Sequence, residues 1–196
     1  MDNTMNDYIR TQIQDSITIK QHILNDVAFL ALIDHASQHC IDAYRKGKRI
    51  FAAGNGGSAA DAQHIVAELV SRFYFDRPGL AAEALTVNTS TLTAIGNDYA
   101  YTRIFARQIE AKAQAGDVFF AISTSGNSEN ILEAIHSAKE KQLFVIGFTG
   151  KTGGKMAELC DICFKIPSVD TPRVQEAHIL IGHIICAIIE AGLFKK

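Results

Sequence analysis

The strongest constraint on this chain is a pattern that occurs twice: a short apolar run, a loop of glycine and small polar residues, then helical periodicity. "RIFAAG" (49–54) passes through "NGGS" into "AADAQHIVAELVSRF" (59–73), and "DVFFAIS" (117–123) passes through "TSGNS" into "ENILEAIHSAKEK" (129–141). Apolar runs bounded by turn signals read as buried strands, and apolar residues at three- and four-residue spacing read as helices. Further strands are expected in "AAEALTV" (81–87), "LFVIGFTG" (143–150) and "CDICFKIP" (160–167). Helices are expected in "STLTAIGND" (90–98) and "YTRIFARQIEAKAQ" (101–114). Strands alternating with helices over short connections predict an α/β three-layer sandwich, a central parallel sheet flanked by helices.

Ahead of this pattern, residues 7–46 carry apolar positions such as Ile9, Ile13 and Ile17 at helical spacing, with a break near Asn25 and Asp26. Two N-terminal helices follow. No long linker or low-complexity tract divides the chain, which predicts one domain over 1–196, with a helical extension over about 1–46 and the α/β core over about 47–196. The last segment, "TPRVQEAHILIGHIICAIIEAGLF", has Thr171 as an N-cap followed by proline, and is apolar on nearly every side. Such a helix needs cover all round, from the domain or from another subunit.

Nineteen basic and twenty-one acidic side chains leave a net charge of −2. That balance argues against nucleic acid or an anionic membrane as partner and suits a small-molecule substrate. The start lacks the basic and apolar regions of a signal peptide, so a cytoplasmic protein is expected. Cys160 and Cys163 form an isolated C-x-x-C with no second pair at zinc-finger spacing; half-buried strand residues are the favoured reading over a redox or metal motif.

In an open parallel sheet, ligands bind beyond the carboxyl ends of the strands, where "GNGGS" and "STSGNS" lie. Glycines admit an anion close to the backbone, hydroxyls donate hydrogen bonds, and a helix N-terminus adds partial positive charge. Ser123, Thr124, Ser125 and Ser128 are therefore candidate phosphate donors, with an ordinary capped loop as the alternative. "GNGGSA" satisfies G-x-G-x-x-A, but no acidic residue ends the next strand, and "GKTGGK" does not match the nucleotide-binding G-x-x-x-x-G-K-[ST] spacing. On the following helix His64 and Glu68 share a face, continued by Arg72. Gln175 and His183, eight residues apart, share a face of the last helix. Two helices offering two donors each could close a metal site, although glutamine is an unusual zinc ligand. On the residues alone the favoured reading is a helical His–Glu pair with His183 as a satisfied core histidine; His178 faces elsewhere and reads as structural or as a support behind the metal ligands. Arg72 could contact hydroxyls of a substrate or pair with a neighbouring acid, and the pairing is the favoured reading.

Taken together, "GNGGSAADAQHIVAELVSRF", "AIGNDY", "ISTSGNSEN", "GKTGGKM" and "RVQEAHILIGHIICAIIE" resemble the sugar isomerase (SIS) domain family in its phosphoheptose isomerase branch, over almost the whole chain. The resemblance implies a cytoplasmic homotetramer with active sites near subunit contacts. It implies interconversion of sedoheptulose 7-phosphate and D-glycero-D-manno-heptose 7-phosphate through an enediol, the first step toward nucleotide-activated heptose for lipopolysaccharide or surface polysaccharide. It also implies one zinc per subunit on His64, Glu68, Gln175 and His183, proton transfer by Glu68 and His183, and a substrate site lined by Asn55, Gly56, Gly57, Asn97, Asp98, Ser123, Thr124, Ser125, Ser128 and Gln175. Relatives of the same fold that bind a replication initiator or sense a sugar phosphate without catalysis are the alternative; the presence of Glu68 and His183 favours the enzyme.

Overall fold

The computed structural model describes residues 3–195; residues 1, 2 and 196 of the expected domain lie outside the described residues. Five strands, β1 (Ile50–Ala53), β2 (Ala82–Ala84), β3 (Val118–Ile122), β4 (Phe144–Thr149) and β5 (Ile162–Lys165), form one parallel sheet in the order β2-β1-β3-β4-β5. Ala52 stands opposite Phe120, which stands opposite Ile146, which stands opposite Ile162. Every residue of β1 and β3 is buried, as a parallel sheet covered on both faces requires.

The two-residue alternation of β3 sorts its side chains into separate cores. Val118, Phe120 and Ile122 face the layer of α1 (Asn3–Asn25), α2 (Val27–Arg45), α3 (Gly57–Val70) and α8 (Thr171–Phe194). Phe119 and Ala121 face the layer of α4 (Thr89–Asp98), α5 (Ala106–Lys112), α6 (Glu129–Glu140) and α7 (Met156–Leu159). The expected three-layer sandwich is thus the observed one. The break near Asn25 is a new helix start, where the Asp26 carboxylate accepts the Phe29 N–H at 3.0 Å.

Several boundaries differ from the expectation. The helix expected over 101–114 is a 3-10 turn, Tyr101–Arg103, followed by α5. There the Gln108 N–H turns to Phe105 O at 3.1 Å while its side-chain amide takes Ile104 O at 2.9 Å, which breaks the regular helical ladder. Helix α8 is capped by Asp170, not Thr171: Val174 N–H donates to Asp170 O at 3.0 Å, and Pro172 falls in the first turn, where no N–H is needed. Helix α3 stops at Val70, short of Phe73, because the Phe73 and Tyr74 N–H groups donate to the Glu190 carboxylate at 2.8 and 2.7 Å.

Among the described residues α8 is the one helix long and apolar enough to cross a membrane by composition. Instead it packs on α1, α2 and α3, with Ile181, Ile185 and Ile189 fully buried. Gly182 makes the approach to α3 possible, since a Cβ there would stand 2.6 Å from Ile65 Cδ1. Gln175 meets Gly57 and Gly182 meets Ile65, so α3 and α8 run side by side in the same direction.

Candidate active site

The loops after β1 and β3 stand at the carboxyl edge of the sheet where the strand order reverses, the position at which open α/β sheets present a crevice. The chain leaves β1 toward α3 on one face and leaves β3 toward α6 on the other. In the β3 loop Ser123 Oγ lies 2.8 Å from Ser128 Oγ and 3.4 Å from Ser125 Oγ, and the Asn127 N–H donates to Ser125 Oγ at 3.1 Å. Ser128 is the N-cap residue of α6 yet makes no side-chain cap bond. Its hydroxyl meets Ser123, so three hydroxyls gather in front of a helix N-terminus, an arrangement suited to phosphate.

"GKTGGK" does more than connect elements. Met156 N–H donates to Gly126 O at 3.1 Å and Lys155 N–H donates to Asn127 Oδ1 at 3.0 Å, so this loop braces the hydroxyl loop. Gly126 has φ +66°, and a Cβ there would collide with the Gly153 carbonyl; only glycine fits. Across the crevice Gly56 has φ +54°, and the Gln175 carboxamide nitrogen reaches within 2.5 Å of where a Gly57 Cβ would stand. Gln175 therefore belongs spatially with Asn55, Gly56 and Gly57. A cavity of about 420 Å³ opens beside them, lined by Asn55, Thr86, Thr93, Gly96 and Tyr101 among others. Asn97 and Asp98 follow Gly96 at the end of α4, exposed and joined by a 2.9 Å hydrogen bond from Asn97 Nδ2 to Asp98 Oδ1.

A second group lies farther along the same two helices. His64 Nε2 is 3.1 Å from Glu68 Oε1 and 3.4 Å from His183 Nε2, and one donor atom from each of the three residues falls within 4.8 Å of the others. His183 is half-buried, and His64 side-chain exposure is 49%. Burial first, then the neighbouring His64 imidazole, lower the His183 pKa against the opposing pull of Glu68. The donor set suits a divalent cation: ligands about 2.1 Å from a tetrahedral ion stand roughly 3.4 Å apart, close to the His64–Glu68 and His64–His183 separations, while the donor atoms of all three residues stay within 4.8 Å. The rise of about 1.5 Å per helical residue puts Gln175 about 12 Å along α8 from His183.

Three features escaped the sequence reading. Asn130 and Tyr101 both bond to Asn55. Asp61, one turn before His64, has a buried Oδ2 with no partner among the described residues, and burial raises its pKa to about 6 against the opposing effect of His64. Its three-residue offset from His64 was the available signal. Arg72 falls beyond the end of α3, exposed and in no ion pair among the described residues, so the expected pairing with an acid is not formed there. Of the two readings of His178 the structure favours the structural one: it is fully buried, its Nε2 stands 3.2 Å from Thr149 O, and burial, only partly opposed by that backbone contact, pushes its pKa down to about 4. Cys160 and Cys163 are half-buried free thiols, Cys163 within β5 and Cys160 just before it.

A family model described as the SIS domain matches residues 22–150. A phosphoheptose isomerase of Aneurinibacillus thermoaerophilus is 58% identical over 192 residues, spanning 98% of this chain and 97% of its own length. The chain belongs to the SIS-domain phosphoheptose isomerase family. That membership makes it an enzyme, an aldose–ketose isomerase of sugar phosphates. Solved structures agree in shape. The phosphoheptose isomerase of Neisseria gonorrhoeae superposes with a TM-score of 0.89 at 39% identity, covering 95% of this chain and 99% of its own. That of Francisella tularensis gives 0.90 at 36% identity, covering 94% and 97%. The family match ends before α8, so Gln175 and His183 of this isomerase lie in the part covered by the full-length relatives alone.

Proposed function

We propose that this isomerase interconverts sedoheptulose 7-phosphate and D-glycero-D-manno-heptose 7-phosphate. The observation that carries the reading is the convergence of Glu68 and His183 beside His64, with donor atoms within 4.8 Å of one another. Moving a carbonyl to the neighbouring carbon requires removing a proton beside it, passing through an enediol and returning a proton to the other carbon. Glu68 takes the first proton: its Oε1 faces His64, and the second carboxylate oxygen remains for the substrate. His183 is its partner at the adjacent carbon: in the ketose-to-aldose direction its protonated form delivers the proton there, and in the reverse direction its neutral form removes one. Zinc, when bound, would be held by His64, Glu68 and His183 and would polarise the substrate oxygens; because a tightly ligated carboxylate or imidazole is a poor base, Glu68 and His183 would have to be released from it to carry their protons. The resemblance implies Gln175 as a fourth ligand; its place against Gly57 favours a contact to the sugar instead.

Ser123, Thr124, Ser125 and Ser128 receive the phosphate, while Asn55, Gly56, Gly57, Asn97 and Asp98 border the sugar chain. The assembly we infer is a homotetramer. In a single chain Ile9, Ile13 and Ile17 lie along α1 at 49%, 57% and 42% exposure, an apolar stripe that subunit contacts would cover. The reaction belongs to the cytoplasm, at the head of a route to ADP- or GDP-linked heptose. The test is to incubate the pure protein with sedoheptulose 7-phosphate and assay the aldose, then to repeat with Glu68→Gln and His183→Ala. Turnover by the wild type and a loss of about 100-fold or more in kcat for each variant is expected. Absence of wild-type product defeats the proposal.

A further inference from the structure

The crevice between the β1 and β3 loops is crossed by two carboxamides. Asn55 Nδ2 donates to Asn130 Oδ1 at 2.9 Å, and Asn130 Nδ2 donates to Asn55 Oδ1 at 2.8 Å. Asn55 Oδ1 also accepts the Tyr101 hydroxyl at 3.1 Å. Asn130 is the second residue of α6 and is 3% exposed. Burying an amide is costly unless it is bonded, and Asn55 supplies that bond from a segment 75 residues away.

We propose that Asn130 is a positioning residue of the isomerase, whose reciprocal amide pair with Asn55 fixes the width of the crevice and aims the remaining Asn55 N–H at the sugar. A cyclic amide pair uses one hydrogen of each side chain and sets both amide planes. With its oxygen accepting from both Asn130 and Tyr101, Asn55 has one donor hydrogen left and no freedom to turn it away. At this point of the sheet the two following helices diverge to opposite faces, so nothing in the strand ladder itself sets the separation of the loops. The hydroxyl loop has its own anchors, Met156 N–H to Gly126 O and Lys155 N–H to Asn127 Oδ1. Loss of Asn130 therefore loosens the β1 loop and leaves the phosphate cradle in place.

The inference rests on reading the two loops as the substrate cradle. Asn130→Ala removes the pair, whereas Asn130→Asp keeps the shape and the acceptor but sets a second acceptor against Asn55 Oδ1. Both should raise KM for sedoheptulose 7-phosphate about tenfold or more, the scale of one well-formed hydrogen bond. A change in kcat of less than about threefold is expected, as for a group that aids binding throughout the reaction. Competitive inhibition by inorganic phosphate should stay within about twofold of wild type, because its cradle is separately anchored, and Tyr101→Phe should shift KM the same way by less. Unchanged KM in a folded Asn130 variant overturns the inference. So does a parallel collapse of kcat, KM and phosphate inhibition, or the failure of both variants to fold, each of which marks a purely structural residue. A wild type that does not turn over the heptulose phosphate overturns the functional reading itself, and that is seen before any variant is compared.

Discussion

Replacing Arg77 with methionine should destabilise the fold by about 3–5 kcal/mol, the cost of leaving a buried charge without its partner. The Arg77 side chain is 2% exposed and that of Glu190 is 0% exposed. Glu190 accepts the Phe73 and Tyr74 N–H groups and Arg77 Nε at 2.8, 2.7 and 3.1 Å. The other guanidinium nitrogens donate to the carbonyls of Leu69, Ser71, Pro78 and Glu68 at 2.7, 3.1, 3.0 and 2.8 Å. Burial pushes the Glu190 carboxyl upward, but the bonds from Phe73, Tyr74 and Arg77 outweigh it and hold the group below the ordinary carboxylate range. Methionine fills similar space while stranding this carboxylate and removing the donor that closes the end of α3. In a chain of this size each kcal/mol moves Tm by about 2–4 °C, so calorimetry should show a fall of roughly 6–20 °C. Glu190→Leu should be comparably damaging, but the double variant should recover about 2 kcal/mol or more, because no unpaired charge is then left buried. Arg77 also holds the Glu68 carbonyl, and the Phe73 ring lies 5.6 Å from that of His183. Well below Tm, kcat/KM of Arg77→Met should therefore drop about tenfold through misplacement of Glu68 and His183. A loss of less than about 1 kcal/mol, or single effects that add within about 0.5 kcal/mol, would refute the reasoning.

Two other outcomes are expected. Removing divalent metal with a chelator should lower activity and also reduce Tm by several degrees, both restored by zinc; binding at a hundred times Kd stabilises by about 2.7 kcal/mol. An unchanged Tm and activity on chelation would count against a resident metal. For Asp61, the folded pKa of about 6 lies above the unfolded value of 3.8, so its contribution to stability is full below about pH 4 and is lost as pH rises through 6. Asp61→Asn should then raise stability at pH 7.5 by about 1 kcal/mol, allowing for solvent screening of a partly exposed group, and flatten the profile between pH 4 and 6. A variant whose denaturation profile matches the wild type over that range contradicts the assignment.

Local pattern settled much of this protein. Periodicity and turn residues specified the strands of "RIFAAG" and "DVFFAIS", their succession with helices implied the parallel sheet, and the one-turn spacing of His64 and Glu68 put both on one face of α3. These follow from chain geometry over a few residues, which the sequence states directly. Tertiary structure alone decided what crosses between segments. It paired Asn55 with Asn130, stopped α3 at Val70 through Glu190 far along the chain, and braced the hydroxyl loop with the glycines of "GKTGGK". It also brought His183 to His64 while putting Gln175 against Gly57, a division that a shared helical face does not reveal. Contacts between residues distant in sequence depend on which helices the sheet brings side by side and in which direction they run, and no local spacing encodes that.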